Sequence, residues 1–137
     1  MNKFPTELLA PKVGKIGPHP LDGHFIRVPL MAFQLNDEKV DTALRWDFVE
    51  FVEHDLLDLP GRVIEYERGD VDASIYIQHA HHPIDVWSIT FGQISDQMIF
   101  AEFESLIDFE HEGLDDFQST EWNFTCQLQW TNKVQQA

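Results

Sequence analysis

The clearest pattern in the chain is a strict alternation of apolar and polar residues near its carboxyl end. Single polar residues separate five apolar ones there: Trp122, Phe124, Cys126, Leu128 and Trp130. Because successive side chains of a β-strand point to opposite faces, this period predicts a strand with one buried and one hydrated face. Similar alternation predicts further strands at 24–35, 62–68, 71–80 and 86–93.

One segment has a helical period instead. Between Asp41 or Thr42 and Leu57, apolar residues recur three or four positions apart: Leu44, Phe48, Phe51, Val52, Leu56 and Leu57. Asp41 is a suitable N-cap, and the sequence Leu59-Pro60-Gly61 would end the element. The spacing therefore predicts an amphipathic helix over 41–57.

Residues 97–110 fit either a helix or a strand. Ile99, Phe103 and Leu106 have helical spacing, whereas Ile99, Ala101 and Phe103 begin a run of period two. We favour the strand, because alternating segments precede and follow it. The predicted fold class is α+β in the order β-α-β-β-β-β-β, a mainly antiparallel sheet with one principal helix packed against it. We expect a single domain over 1–137, with 1–23, rich in proline and glycine, as an irregular N-terminal arm.

Length and cysteine content narrow the class of protein. The chain has 137 residues, enough for one domain with a real core, and it lacks the run of about 18 apolar residues that a membrane span needs. Cys126 is the one cysteine, so an internal disulfide is impossible. With no secretory signal pattern either, we expect a soluble protein of a reducing compartment, located in the cytoplasm.

Charge is the unusual property of this composition. There are 24 acids against 9 lysines and arginines, a net charge of −15. Residues 1–35 have a net charge of +2, from four bases and two acids, so the rest of the chain has −17. Between Gly69 and Asn132 there are twelve acids and no lysine or arginine. Such a surface repels nucleic acid and anionic membranes and attracts basic proteins, besides favouring solubility.

The segment from Asp108 to Phe117 is the best candidate for contact with a partner. It mixes acids with apolar residues near an expected loop, so that carboxylates could pair with a partner's cations while an aromatic ring anchors the contact. The alternative is a hairpin loop with hydrated acids and aromatic rings that point into the core. The predicted partner-binding residues are Asp108, Glu110, Glu112, Asp115, Asp116 and Phe117, together with Glu102 and Glu104 of the preceding strand.

Histidines provide an alternative kind of site. His79, His81 and His82 lie close together, and His79 and His81 would share one face of a strand, a spacing that suits two ligands of one metal ion. The alternative is that they are loop or core histidines. No nucleophile motif or phosphate-binding glycine loop occurs, and Cys126 alternates with core residues, so we predict no catalytic residue and no cofactor.

Taken together, size, acidity, a helix-plus-sheet pattern and the lack of a catalytic motif make the chain similar to the acidic immunity proteins of bacterial contact-dependent inhibition and polymorphic toxin systems. The resemblance rests on overall type and transfers no residue role. It implies a binding protein, not an enzyme, that neutralises a basic toxin such as a nuclease. A toxin that cuts nucleic acid must be basic to approach its substrate, and an acidic inhibitor exploits that charge.

Two other functions fit the sequence. One is a metal-dependent enzyme or small-ligand domain that uses His79, His81 and His82. The other is a DNA-mimic protein, which needs acids spaced along an extended face.

Overall fold

The computed structural model describes residues 2–19, 21, 23–50, 56–67, 73–77, 80–110 and 117–131. This part of the chain consists mainly of β-strands, with 3₁₀ helices at Thr6–Leu8 and Leu56–Asp58 and no α-helix. The strands are β1 (Asn2–Lys3), β2 (Gly14–Pro18), β3 (His24–Pro29), β4 (Phe33–Leu35), β5 (Glu38–Val40), β6 (Ala43–Val49), β7 (Val63–Glu65), β8 (Ala73–Ile77), β9 (Ala80–Ser95), β10 (Met98–Ile107), β11 (Phe117–Gln118) and β12 (Thr120–Trp130).

Seven of these strands form a closed barrel. Its order is β10-β12-β2-β3-β6-β8-β9, and β9 pairs again with β10 to complete the circle. Neighbouring strands are antiparallel except for β12 and β2, which are parallel. The short strand β7 adds to β9 at Ser88–Thr90, beyond the residues with which β9 pairs to β8.

Buried side chains at alternate positions of the strands fill the barrel interior. On β12 the side chains from Thr120 to Leu128 are buried at every second position, and on β10 the same holds from Ile99 to Ile107. The rings of Trp122 and Phe124 stack with centroids 4.1 Å apart, and Phe103 stacks on Phe124 at 4.6 Å. A barrel of this size has no room for a channel, so its lumen is the hydrophobic core.

Two glycines of β2 allow this strand to pack closely against its neighbours β3 and β12. A Cβ atom on Gly14 would lie 2.6 Å from the carbonyl oxygen of Arg27, and one on Gly17 would lie 2.5 Å from that of Thr131. Both distances are far below a van der Waals contact. Side chains at these positions would therefore push β2 away from its neighbours and open the barrel between β2 and β12.

An aromatic cluster, which we call the plug, closes one end of the barrel. Phe4 stacks on Phe109 at a centroid distance of 4.9 Å and meets the edges of Phe117 at 5.0 Å and Phe33 at 6.5 Å. The backbone N–H of Phe4 also donates to Oγ1 of Thr120 over 3.1 Å. The plug therefore joins the N-terminal segment, the β4–β5 hairpin and the segment that follows β10.

The predicted α+β class, with its principal helix over 41–57, is wrong. Within that range the chain forms β6 and the 3₁₀ helix Leu56–Asp58, while 51–55 lie outside the described residues. Leu44 and Trp46 are buried at period two, but a register irregularity follows, and the next buried residue is Val49. At this bulge Phe48 has a φ of 58°. Phe48 lies at the extra residue of this strand and is 42% exposed, so the helical spacing from Leu44 to Phe48 does not mark a buried face.

Other expected elements can be placed directly. Residues 97–110 are a strand rather than a helix, because β10 covers most of them, and β12 contains the whole alternating segment. The expected strand at 24–35 is divided into β3 and β4. Residues 1–23, expected as an irregular arm, contain β1, the first 3₁₀ helix and β2, which is a barrel strand.

Candidate functional site

Strand register brings several acids together on the outer surface of β7, β9, β10 and β12. Glu65 lies opposite Ser88, which lies opposite Glu104, which in turn lies opposite Asn123. In the next row, Thr90 and Thr125 flank Glu102, and a third row contains Asp85 and Glu121 on either side of Leu106. We call this surface the acidic face; it comprises Glu65, Asp85, Glu102, Glu104 and Glu121.

The residues between these acids are uncharged. The hydroxyl of Ser88 donates to Oε2 of Glu104 over 3.3 Å, and the indole N–H of Trp87 donates to Oδ2 of Asp85 over 3.2 Å. None of the four strands contains a lysine or arginine. Strands lie about 4.8 Å apart and alternate residues about 6.7 Å apart, so Glu102 and Glu104 are within a Debye length of about 8 Å, and Glu65 is two strands, or about 10 Å, from Glu104. Their potentials therefore add.

Some of the predicted partner-binding residues extend this surface past the end of β10. The hydroxyl of Ser119 lies 3.3 Å from Oδ1 of Asp108 and 2.9 Å from Oε2 of Glu110, to which it can donate. The backbone N–H of Glu110 donates to Oδ1 of Asp108 over 2.9 Å, which fixes the local turn. Glu102 and Glu104 are exposed on β10. The structure thus places Asp108 and Glu110 next to each other, just past the end of the strand that carries Glu102 and Glu104.

The remaining predicted contacts differ in position. Phe117 is half-buried, and its ring packs against Phe4 and Phe109 in the plug. Glu112, Asp115 and Asp116 lie outside the described residues.

A second charged surface, which the sequence did not predict, lies across β2, β3 and β6. Lys15 is directly opposite Arg27, and Arg27 is directly opposite Arg45. All three are exposed. We call these residues the basic row. In the strand order β3 lies three strands from β10 in one direction and four in the other, so the basic row and the acidic face are on opposite sides of the barrel.

A groove of about 490 Å³ adjoins the basic row. The cross-strand pair Pro29 and Ala43 lies beside Arg27 and Arg45, and its short side chains leave room above the sheet. The groove is lined by Arg27, Pro29, Asp41, Thr42, Ala43, Arg45 and Tyr76.

The histidines are separated by the barrel wall. His82 is fully buried, with its ring 5.0 Å from that of Phe109, whereas His81 is half-buried outside, 5.0 Å from the ring of Tyr76. Adjacent residues of a strand point to opposite faces, so these two cannot bind one ion. His79 lies outside the described residues, and the described ones contain no group of three or more metal-binding side chains.

Cys126 faces the core, opposite Ala101. Burial raises the pKa of its thiol from 9.0 to about 12, because the thiolate would lose its hydration. A thiol in that state is a poor nucleophile, as the alternating pattern predicts.

The sequence contains a signal for the basic row. Lys15, Arg27 and Arg45 each stand between two residues that are buried in the structure, and such a cation must point outward. What the sequence does not contain is the register that places the three side by side.

Fold and surface together define a closed β-barrel with oppositely charged sides. No family model matches the chain, and neither a curated protein nor a solved structure matches it. Among the described residues, no helix has the length and apolarity to cross a membrane.

Proposed function

We propose that this protein is a non-enzymatic binding protein that uses its acidic face to bind a basic protein, in the manner of an immunity protein that neutralises a toxin. The observation that carries the proposal is the register of β7, β9, β10 and β12. It aligns Glu65, Glu102 and Glu104 on one exposed surface whose strands contain no lysine or arginine.

The rigidity of this surface favours binding by charge. The acids of β10 are held between β9 and β12, each of which pairs with β10 over most of its length. Their backbone positions therefore do not have to be ordered when a partner arrives. Carboxylates on such an ordered backbone raise the rate at which the protein encounters a basic partner, and they disfavour binding of acidic proteins.

Apolar area is available at the margin of the same surface. Val63 lies opposite Thr90, in the row of Glu102, and is 59% exposed. A partner that covers Val63 would exclude water from the neighbouring carboxylates and strengthen their pairing with its cations. The proposal thus combines electrostatic attraction with a small desolvated contact.

A variant pull-down tests this function. The bait is Glu65→Gln/Glu102→Gln/Glu104→Gln, compared with the natural protein in lysate of the source cell. We expect the natural protein to retain a basic protein that the triple variant loses, with an affinity that falls as NaCl rises. If that partner is a toxin, a stoichiometric amount of the natural protein should abolish its activity.

The matched control is Glu7→Gln/Asp37→Asn/Glu38→Gln, which removes three exposed charges outside the acidic face. It changes net charge equally and should keep the partner. Equal loss from both variants would show that net charge, not the face, governs binding. Equal retention by both would show that the partner binds elsewhere. Either result would overturn the proposal.

A further inference from the structure

We propose that the groove beside the basic row binds a small organic anion through a phosphate or carboxylate group held by Arg27 and Arg45. This site lies on the other side of the barrel from the acidic face and does not depend on the function proposed for that face.

The basic row places like charges side by side. Lys15, Arg27 and Arg45 occupy directly opposed positions on three adjacent strands, where like charges repel. Their Cβ atoms are about 5 Å apart from strand to strand. An anion between the two arginines would convert this repulsion into attraction.

No described carboxylate lies within ion-pair distance of Lys15, Arg27 or Arg45. Asp47, the nearest acid along β6, instead faces His19 at 3.4 Å. Asp41 lines the groove and Asp47 lies beside Arg27 and Arg45, so the three cations of the basic row and these two aspartates leave a local net charge of +1. In a protein of net charge −15 this is a local reversal of sign.

The groove has the shape of a small-molecule site. The short side chains of Pro29 and Ala43 form the bottom of the groove. Arg27 and Arg45 lie beside them along β3 and β6, and Tyr76 of β8 also lines the groove. A volume of about 490 Å³ is in the range of small-molecule sites and too small for a macromolecular surface.

The lining residues indicate which ligand fits. Guanidinium groups bind phosphate and carboxylate oxygens in pairs, and the hydroxyl of Thr42 can donate a further hydrogen bond. Tyr76 is 57% exposed and offers a flat apolar surface next to these donors. An anion with an attached ring therefore uses more of the groove than a bare inorganic ion. Nucleic acid is disfavoured, because the remaining charge of the protein repels a polyanion.

Phenyl phosphate is the first probe, with benzoate and inorganic phosphate for comparison, each titrated at constant ionic strength set with NaCl. The readout is the NMR signals of the arginine Nε–H groups and of the Tyr76 ring. We expect saturable shifts at Arg27, Arg45 and Tyr76, with phenyl phosphate or benzoate tighter than inorganic phosphate. Which of the two binds more tightly identifies the head group.

Arg27→Gln and Arg45→Gln should each weaken binding by about tenfold or more, since each removes a charged hydrogen-bonding partner. The control Lys3→Gln removes an exposed cation at β1 and should leave affinity unchanged. Near-ultraviolet circular dichroism checks that every variant is folded. The proposal is overturned if the shifts do not saturate, if Lys3→Gln weakens binding equally, or if the arginine signals respond only to self-association of the protein.

Discussion

Cys126 illustrates how a position within a strand sets the chemistry of a side chain. It alternates with Phe124 and Leu128 on the inner face of β12, and its burial raises the thiol pKa to about 12. By the same alternation, Lys15 and Arg27 lie at outward-facing positions of their strands. Each is flanked by buried residues and is exposed. At the residue scale, the period of two in the sequence correctly indicates which side chains are inside.

The raised pKa of Cys126 makes stability depend on pH. Because the folded state retains the proton where the unfolded chain releases it, the contribution is complete below pH 9 and is lost between pH 9 and about 12. We expect the free energy of unfolding to fall above pH 9 by up to about 1.4 kcal/mol per pH unit more in the natural protein than in Cys126→Ala. Urea unfolding at several pH values measures this difference. Parallel pH profiles for the two proteins would contradict it.

Whether a segment forms a β-strand depends on which other strands can pair with it, and its own sequence pattern does not show this. The sequence of β6 has helical spacing because Phe48 follows Leu44 by four positions, but Phe48 lies at the bulge and is exposed, and the buried residues are Trp46 and Val49. Nothing within 41–57 indicates that β3 and β8 are available to pair with this segment. By contrast, β10 and β12 are uninterrupted over ten paired positions. The period alone predicts β12, and the alternating segments on either side of 97–110 favour the strand over the helix for β10. The bulge in β6 therefore accounts for the wrong helix prediction over 41–57.

The plug gives a test of the N-terminal segment. Phe4 is buried to 2% exposure among aromatic rings from three other parts of the chain. Its replacement in Phe4→Ala should lower the free energy of unfolding by about 3–5 kcal/mol, because a large cavity remains. Denaturant unfolding measures this loss.

The comparison variant is Leu21→Ala, since Leu21 is 79% exposed and its truncation should change stability by less than about 0.5 kcal/mol. A similarly small effect of Phe4→Ala would show that the plug does not belong to the cooperative folding unit.

At the scale of the whole molecule, barrel closure separates the charges. The circular order of strands carries the acidic face and the basic row to opposite sides, although their residues alternate with core residues in the same way. The acids still dominate, with a net charge of −15, so the folded state is under electrostatic repulsion. Glu102 and Glu104, two positions apart on the outer face of β10, contribute to this repulsion.

Salt should therefore stabilise the protein. At low ionic strength we expect Glu102→Gln/Glu104→Gln to be more stable than the natural protein by roughly 0.5 kcal/mol, and the gain should shrink in 0.5 M NaCl. Thermal unfolding at the two salt concentrations measures it. Glu7→Gln/Glu38→Gln, with the same change in net charge on separated residues, should gain less. Equal gains from both pairs would mean that the repulsion is not concentrated on the acidic face.

The sequence by itself determined the inward and outward faces of the long strands, the burial of Cys126, and an excess of acid without cations over residues 69–132. These properties depend on residues one or two positions apart, so a short stretch of sequence is enough to determine them. Tertiary structure decided that β6 is a strand, that glycines at 14 and 17 let β2 meet β12, and which charges are neighbours. Those outcomes depend on register between segments distant in the chain, and a pattern along one strand carries no information about the strand that will lie beside it.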